Sequence, residues 1–118
     1  MSTFLIVDDE VSVQDIVGNF IVRRGQQILK AQTGQEAIAL YAKHRPDCVL
    51  LDMKLPDISG IEVCKSIKTF NPQAKIYFIT GIDDNSFKQE AEQLGSAGYL
   101  VKPIVLDDVA QIIKSISP

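Results

Sequence analysis

The chain has 118 residues, 46% of them apolar and 23% charged, which is enough for one globular core. Twelve Lys and Arg stand against 15 Asp and Glu, and the resulting charge of -3 argues against a basic nucleic-acid-binding face. No apolar run approaches the ~20 residues of a membrane span, Met1-Ser2-Thr3-Phe4 lacks the basic stretch of a secretory signal, and Cys48 and Cys64 lack the CxxC spacing of a metal or redox pair, so both read as reduced thiols of a cytoplasmic protein.

The first apolar run, Phe4 to Val7, predicts a buried strand. A helix is predicted over Val11 to Arg24, where Val13, Ile16, Val17, Phe20 and Ile21 recur at helical spacing and Gly25 follows as a stop. Gly18 inside it costs roughly 1 kcal/mol relative to Ala, which implies a packing reason. Ile28 to Ala31 predicts a second strand, polar enough for a sheet edge. Thr33-Gly34-Gln35-Glu36 is a capping-box pattern opening a second helix that ends before Pro46. Cys48 to Leu51 is a third strand. Ser59-Gly60-Ile61-Glu62 repeats the capping pattern and opens a third helix, ending near Phe70-Asn71-Pro72. Ile76 to Ile79, Asn85 to Leu94, Tyr99 to Val101 and Leu106 to Ile116 then continue the alternation of strand and helix. This βα rhythm with short connections predicts an α/β fold, a parallel sheet covered by helices, with too few units for an eightfold barrel.

The polar residues that interrupt the pattern gather at strand ends. Asp8, Asp9 and Glu10 follow the first strand, Asp52 the third, Thr80 and Gly81 the fourth, Lys102 and Pro103 the fifth. Right-handed crossovers put all those ends on one rim, where ligands of open α/β sheets bind. With the common doubly wound order 2-1-3-4-5, the first and third strands are neighbours, and Asp8, Asp9 and Asp52 converge. One like-charged pair at ~4 Å costs roughly 4 kcal/mol at an effective dielectric near 20, so proton sharing or a cation must offset it. An all-oxygen set suits Mg²⁺. Lys102 adds a positive charge and Thr80 a hydroxyl, the equipment of an in-line phosphoryl transfer in which a carboxylate can be the nucleophile. Each residue also has an ordinary reading: Asp8 or Asp9 as a cap of the first helix, Thr80 as a local hydrogen-bonder, Lys102 as a solvated loop residue. Their joint occurrence at four strand ends favours the site.

Four motifs, Val7-Asp8-Asp9-Glu10, Leu51-Asp52-Met53-Lys54-Leu55-Pro56-Asp57-Ile58-Ser59-Gly60, Ile79-Thr80-Gly81 and Gly98-Tyr99-Leu100-Val101-Lys102-Pro103, stand in one order along the chain. In them the whole sequence resembles the response-regulator receiver domains of two-component signalling, a CheY-like, flavodoxin-like (βα)5 fold. The resemblance implies that Asp52 is the phosphoacceptor, and that Asp8, Asp9, Asp52 and the backbone carbonyl of Met53 hold Mg²⁺. It implies that Thr80 and Lys102 bind phosphoryl oxygens, that Thr80 and Tyr99 form the switch, and that a cis bond precedes Pro103. Lys54 and Ile82 occupy the two positions that in this family tune dephosphorylation. Gly81 stands where Ala is commoner and Ile104 where Phe is commoner. The implied partners are a sensor histidine kinase or histidine phosphotransfer protein, and a downstream target or output domain meeting the face of the fourth helix, fifth strand and fifth helix. A monomer or a phosphorylation-dependent dimer is expected, with no nucleic acid or membrane bound by this chain. Residues 1–118 are expected to form one receiver domain without an output domain, a switch rather than an enzyme.

Other readings compete. A pseudo-receiver would dock partners without phosphorylation. An aspartyl-phosphate phosphatase of the haloacid-dehalogenase type would carry its nucleophile at the first strand end, at Asp8. A flavodoxin-like cofactor module needs a Gly- and hydroxyl-rich loop after the first strand, where this chain is acidic. Cys48, Cys64 and His44 read as structural or solvated residues.

Overall fold

The computed structural model describes residues 1–81 and 85–116, with the side chains of residues 85 and 86 outside the description. Strands β1 (Thr3–Val7), β2 (Gln27–Ala31), β3 (Cys48–Asp52), β4 (Ile76–Thr80) and β5 (Gly98–Val101) alternate with helices α1 (Val11–Arg23), α2 (Gly34–His44), α3 (Gly60–Phe70), α4 (Asn85–Gln93) and α5 (Leu106–Ile116). The five strands pair in parallel in the order β2-β1-β3-β4-β5, so the doubly wound arrangement expected from the sequence is the one observed.

Alternation along each central strand divides the core in two, because successive side chains point to opposite faces. Phe4, Ile6, Cys48, Leu50 and Ile79 face α1 and α5, where they meet Val17, Ile21, Val109, Ile112 and Ile113. Leu5, Val7, Val49, Leu51, Ile76 and Phe78 face the other way, toward Ala37 and Tyr41 of α2, Ile61, Cys64 and Ile67 of α3, and Ala91 of α4. The two cysteines therefore lie in different cores, both as free thiols. Burial pushes the Cys48 thiol up to about 12 and raises that of Cys64 as well, so both rest as neutral core groups.

The local punctuation has physical causes. Gly18 lets α1 approach β2: a Cβ there would lie 2.9 Å from the Ile28 side chain. Gly25 ends α1 at a positive φ of 82°. Thr33 caps α2 by accepting from the Glu36 N–H at 3.1 Å, but Glu36 reaches one residue further back than a capping box predicts, to the Gln32 N–H at 2.7 Å. Ser59 caps α3 by accepting from the Glu62 N–H at 3.2 Å. A second clamp on α2 comes from the β3–α3 connection, where Asp57 accepts from the N–H groups of Gly34 and Gln35 at 2.8 and 2.9 Å, which holds its carboxyl below the usual range.

One expectation for α1 needs correction. Ile16 fits the helical apolar spacing but is exposed, while Gln14 is buried and donates to the Ala31 carbonyl at 2.8 Å. The buried amide spends its polarity on the end of β2, which periodicity alone does not reveal.

Candidate functional site

The β1–β3 pairing runs from Phe4 opposite Cys48 to Val7 opposite Leu51. One step further along the two strands lie Asp8 and Asp52. The Asp8 N–H donates to the Ala31 carbonyl at 3.0 Å, which fixes the chain as it leaves the sheet. Asp8 Oδ1 accepts from the Glu10 N–H at 2.9 Å, a tight turn that precedes α1. Glu10 occupies the N-cap position of α1 without a side-chain cap bond, so neither Asp8 nor Asp9 caps that helix.

Carboxylate oxygens of Asp8, Asp9 and Asp52 lie within 4.8 Å of one another, with Asp8 and Asp52 buried and Asp9 exposed. Asp52 Oδ1 accepts from the Lys54 N–H at 3.1 Å, leaving Oδ2 toward the lysine. The Lys102 ammonium stands 2.9 Å from Glu10 Oε1, 3.2 Å from Asp8 Oδ2 and 3.3 Å from Asp52 Oδ2. Its backbone N–H donates to the Thr80 carbonyl at 2.8 Å, so β4 and β5 deliver Thr80 and Lys102 together. A cis bond joins Lys102 to Pro103. Asp9, Glu10, Asp52, Lys54, Thr80 and Lys102 line a cavity of about 400 Å³, with Asp8 buried behind them. A Cβ at Gly81, on its wall, would meet nothing within 4 Å.

The electrostatics follow from burial. Loss of water pushes the Asp8 carboxyl up to about 6; the Glu10 N–H opposes this, and the Asp52 charge adds to it. Burial alone would lower the Lys102 ammonium, but Glu10, Asp52 and Asp8 together hold it above its ordinary value, permanently charged. Asp8 Oδ2 is fully buried and has no hydrogen-bond donor; Lys102 meets it as an ion pair outside hydrogen-bonding geometry. A buried, underserved oxygen among three carboxylates fits a hard divalent cation with oxygen ligands.

The other sequence-derived candidates fall around this cluster. The Met53 carbonyl accepts from the Gly60 N–H at 2.9 Å, leaving it one further lone pair. Tyr99 packs half-buried against the α3–α4 core and donates its hydroxyl to the Lys88 carbonyl at 2.6 Å. Lys54 is exposed at the cavity edge. Ile82 lies outside the described residues. His44 is exposed at the end of α2. Glu10 was not among the candidates. The acidic triplet and a lysine on the same rim were the available signal, but which carboxylate the lysine chooses depends on side-chain reach across five strands.

Comparison with known proteins agrees with this geometry. A family model described as the response regulator receiver domain matches residues 4–114. The chain is 32% identical to sporulation initiation phosphotransferase F of Bacillus subtilis, covering 97% of this chain and 92% of that protein. It is equally identical to the chemotaxis protein CheY of the same organism, covering 92% of each. Some relatives are longer: the alkaline phosphatase synthesis transcriptional regulatory protein PhoP is 32% identical, and the match spans 47% of its length. Among solved structures, the chemotaxis protein CheY4 of Vibrio cholerae superposes with a TM-score of 0.92 at 27% identity, covering 99% of both chains.

Proposed function

The chain belongs to the response-regulator receiver family, and from that premise we propose that it is a phosphorylation-driven switch whose phosphoacceptor is Asp52. Receiver domains are signalling switches rather than enzymes. The observation that carries the reading is the position of Asp52: buried, at the C-terminal end of β3, with one oxygen held by the Lys54 N–H and the other facing Lys102.

In the proposed reaction a carboxylate oxygen of Asp52 forms a bond to phosphorus. The bond from phosphorus to an imidazole nitrogen of a histidine kinase or phosphotransfer protein breaks, and that nitrogen keeps the electron pair and takes up a proton. Lys102 offsets charge on one transferring oxygen, and the Thr80 hydroxyl donates to another. Asp8, Asp9 and Asp52, with the Met53 carbonyl, would hold Mg²⁺, which when bound supplies further positive charge at the transferring oxygens. Recruitment of Thr80 toward the new phosphoryl group draws Tyr99 after it, and Tyr99 is tied to α4 through the Lys88 carbonyl. The α4-β5-α5 face then differs between the two states, and a target that prefers one shifts the population. Lys54 and Ile82 would set how readily water reaches the phosphoryl group.

On this reading residues 1–118 make up one cytoplasmic receiver domain, acting through a target protein or a separate output segment. Among the described residues no helix is long and apolar enough to cross a membrane. Incubation with Mg²⁺ and acetyl phosphate should add one phosphoryl group by intact mass, and Asp52→Asn should remove it. Labelling of Asp8 instead would favour a phosphatase-like site. Absence of labelling by acetyl phosphate and by a phosphorylated histidine donor would leave a docking module as the better account.

A further inference from the structure

The reading above leaves Glu10 without a role, yet its carboxylate makes the shortest contact of Lys102, at 2.9 Å. A lysine ammonium has three protons and no more. In this structure Glu10 and Asp52 each accept a hydrogen bond from it, at 2.9 and 3.3 Å, and Asp8 stands 3.2 Å away as an ion pair. Asp8 and Asp52 are buried and belong to the phosphoacceptor cluster, whereas the Glu10 side chain is 57% exposed. An incoming phosphoryl oxygen competes with these carboxylates for the ammonium, and the partner released at least cost is the solvated one.

The surroundings allow that release. The backbone of Glu10 is fixed, with its N–H on Asp8 and its carbonyl accepting from the Val13 and Gln14 N–H groups, so only the side chain can swing. On the far side of the Glu10–Lys102 pair lies a second cavity of about 460 Å³, lined by Val13, Ile16, Val17 and Ile104, which leaves room for the displaced carboxylate. The pair forms a wall shared by both cavities.

We propose that Glu10 is a positioning residue for Lys102: it holds the ammonium over Asp52 before transfer and is displaced by the phosphoryl group. This rests on Asp52 being the phosphoacceptor. Transfer draws Lys102 away from Glu10, so Glu10 restrains phosphorylation while keeping the lysine in place.

The test is the rate of phosphoryl uptake by the purified chain with Mg²⁺, wild type against Glu10→Gln and Glu10→Ala, using two donors of different charge: acetyl phosphate, a dianion near neutral pH, and phosphoramidate, a monoanion. Both variants should gain about threefold, the size of an exposed ion pair, and by the same factor with both donors, because the group landing on Asp52 is the same. Their thermal midpoints should match the wild type. A gain with acetyl phosphate alone would mean that Glu10 merely repels anions, and an unchanged or lower rate would mean that it does not restrain Lys102; either overturns the assignment. Failure of the wild type to be labelled by either donor removes the phosphoacceptor reading and this inference together, whereas a labelled wild type with indistinguishable variants removes only the inference.

Discussion

The half of the sheet that gathers the carboxylates and the half that carries Thr80 and Tyr99 are built on different principles. Strands β1 and β3 are buried almost throughout, and α3 sinks Ile61, Val63, Cys64 and Ile67 against them. Among its described side chains α4 buries only Ala91, and β5 is an edge strand whose Tyr99 is half-buried and whose Val101 is exposed. Charges that repel need a rigid base, because any relaxation would let them separate. A response to phosphorylation needs the opposite, an element held by few contacts whose rearrangement costs little. The Tyr99 hydroxyl on the Lys88 carbonyl is one such contact.

The sharpest way to break the comparison is in the core of the carboxylate half. Leu50→Ala, at a fully buried position between α1 and α5, should cost about 2–5 kcal/mol in denaturant unfolding. Gly60→Ala should cost about 1–3 kcal/mol, because its Cβ would run into the Asp52 carbonyl oxygen and lie 2.9 Å from Met53 Cα, backbone that cannot yield. Gly81→Ala, facing open space, should change stability by less than about 0.5 kcal/mol. Equal effects at the two glycines would mean that the loop after β3 is softer than its packing indicates.

Asp8 carries a stored cost of the opposite sign. Its carboxyl is pushed up from 3.8 to about 6, so the folded state disfavours the ionised form. That penalty is absent below about pH 4, grows as pH rises toward 6 and is complete above it. Asp8→Asn keeps the Oδ1 acceptor for the Glu10 N–H, so at pH 7 without Mg²⁺ it should be more stable than the wild type by about 1–3 kcal/mol. The difference should shrink as pH falls through 6. Mg²⁺ should raise the thermal midpoint of the wild type and not of the variant. A variant less stable than the wild type at pH 7 would show that Lys102 fully offsets the Asp8 charge.

A modest effect is expected at the loose end. Tyr99→Phe removes the bond to Lys88 and should cost about 1 kcal/mol. Hydrogen exchange should quicken in α4 and stay unchanged in α3. Faster exchange in both would dissolve the distinction between the two halves.

Much of the architecture was legible in the residues. Buried apolar runs, two Ser/Thr caps and the glycine stops are local signals, and they place all ten elements to within a residue or so. Handedness and the usual order of a five-stranded sheet then bring Asp8, Asp9 and Asp52 to one rim. Tertiary structure alone decided the rest, because it depends on distances between residues far apart in sequence. The amide of Gln14 is buried because Ala31 offers it a carbonyl, while Ile16 stays exposed. Asp57 clamps the start of α2 from another loop. Lys102 lies closest to Glu10 among its carboxylate partners, 92 residues away, because β1 and β5 end on the same rim. Composition could count the excess of acid; only the fold could say which of those charges the lysine shares.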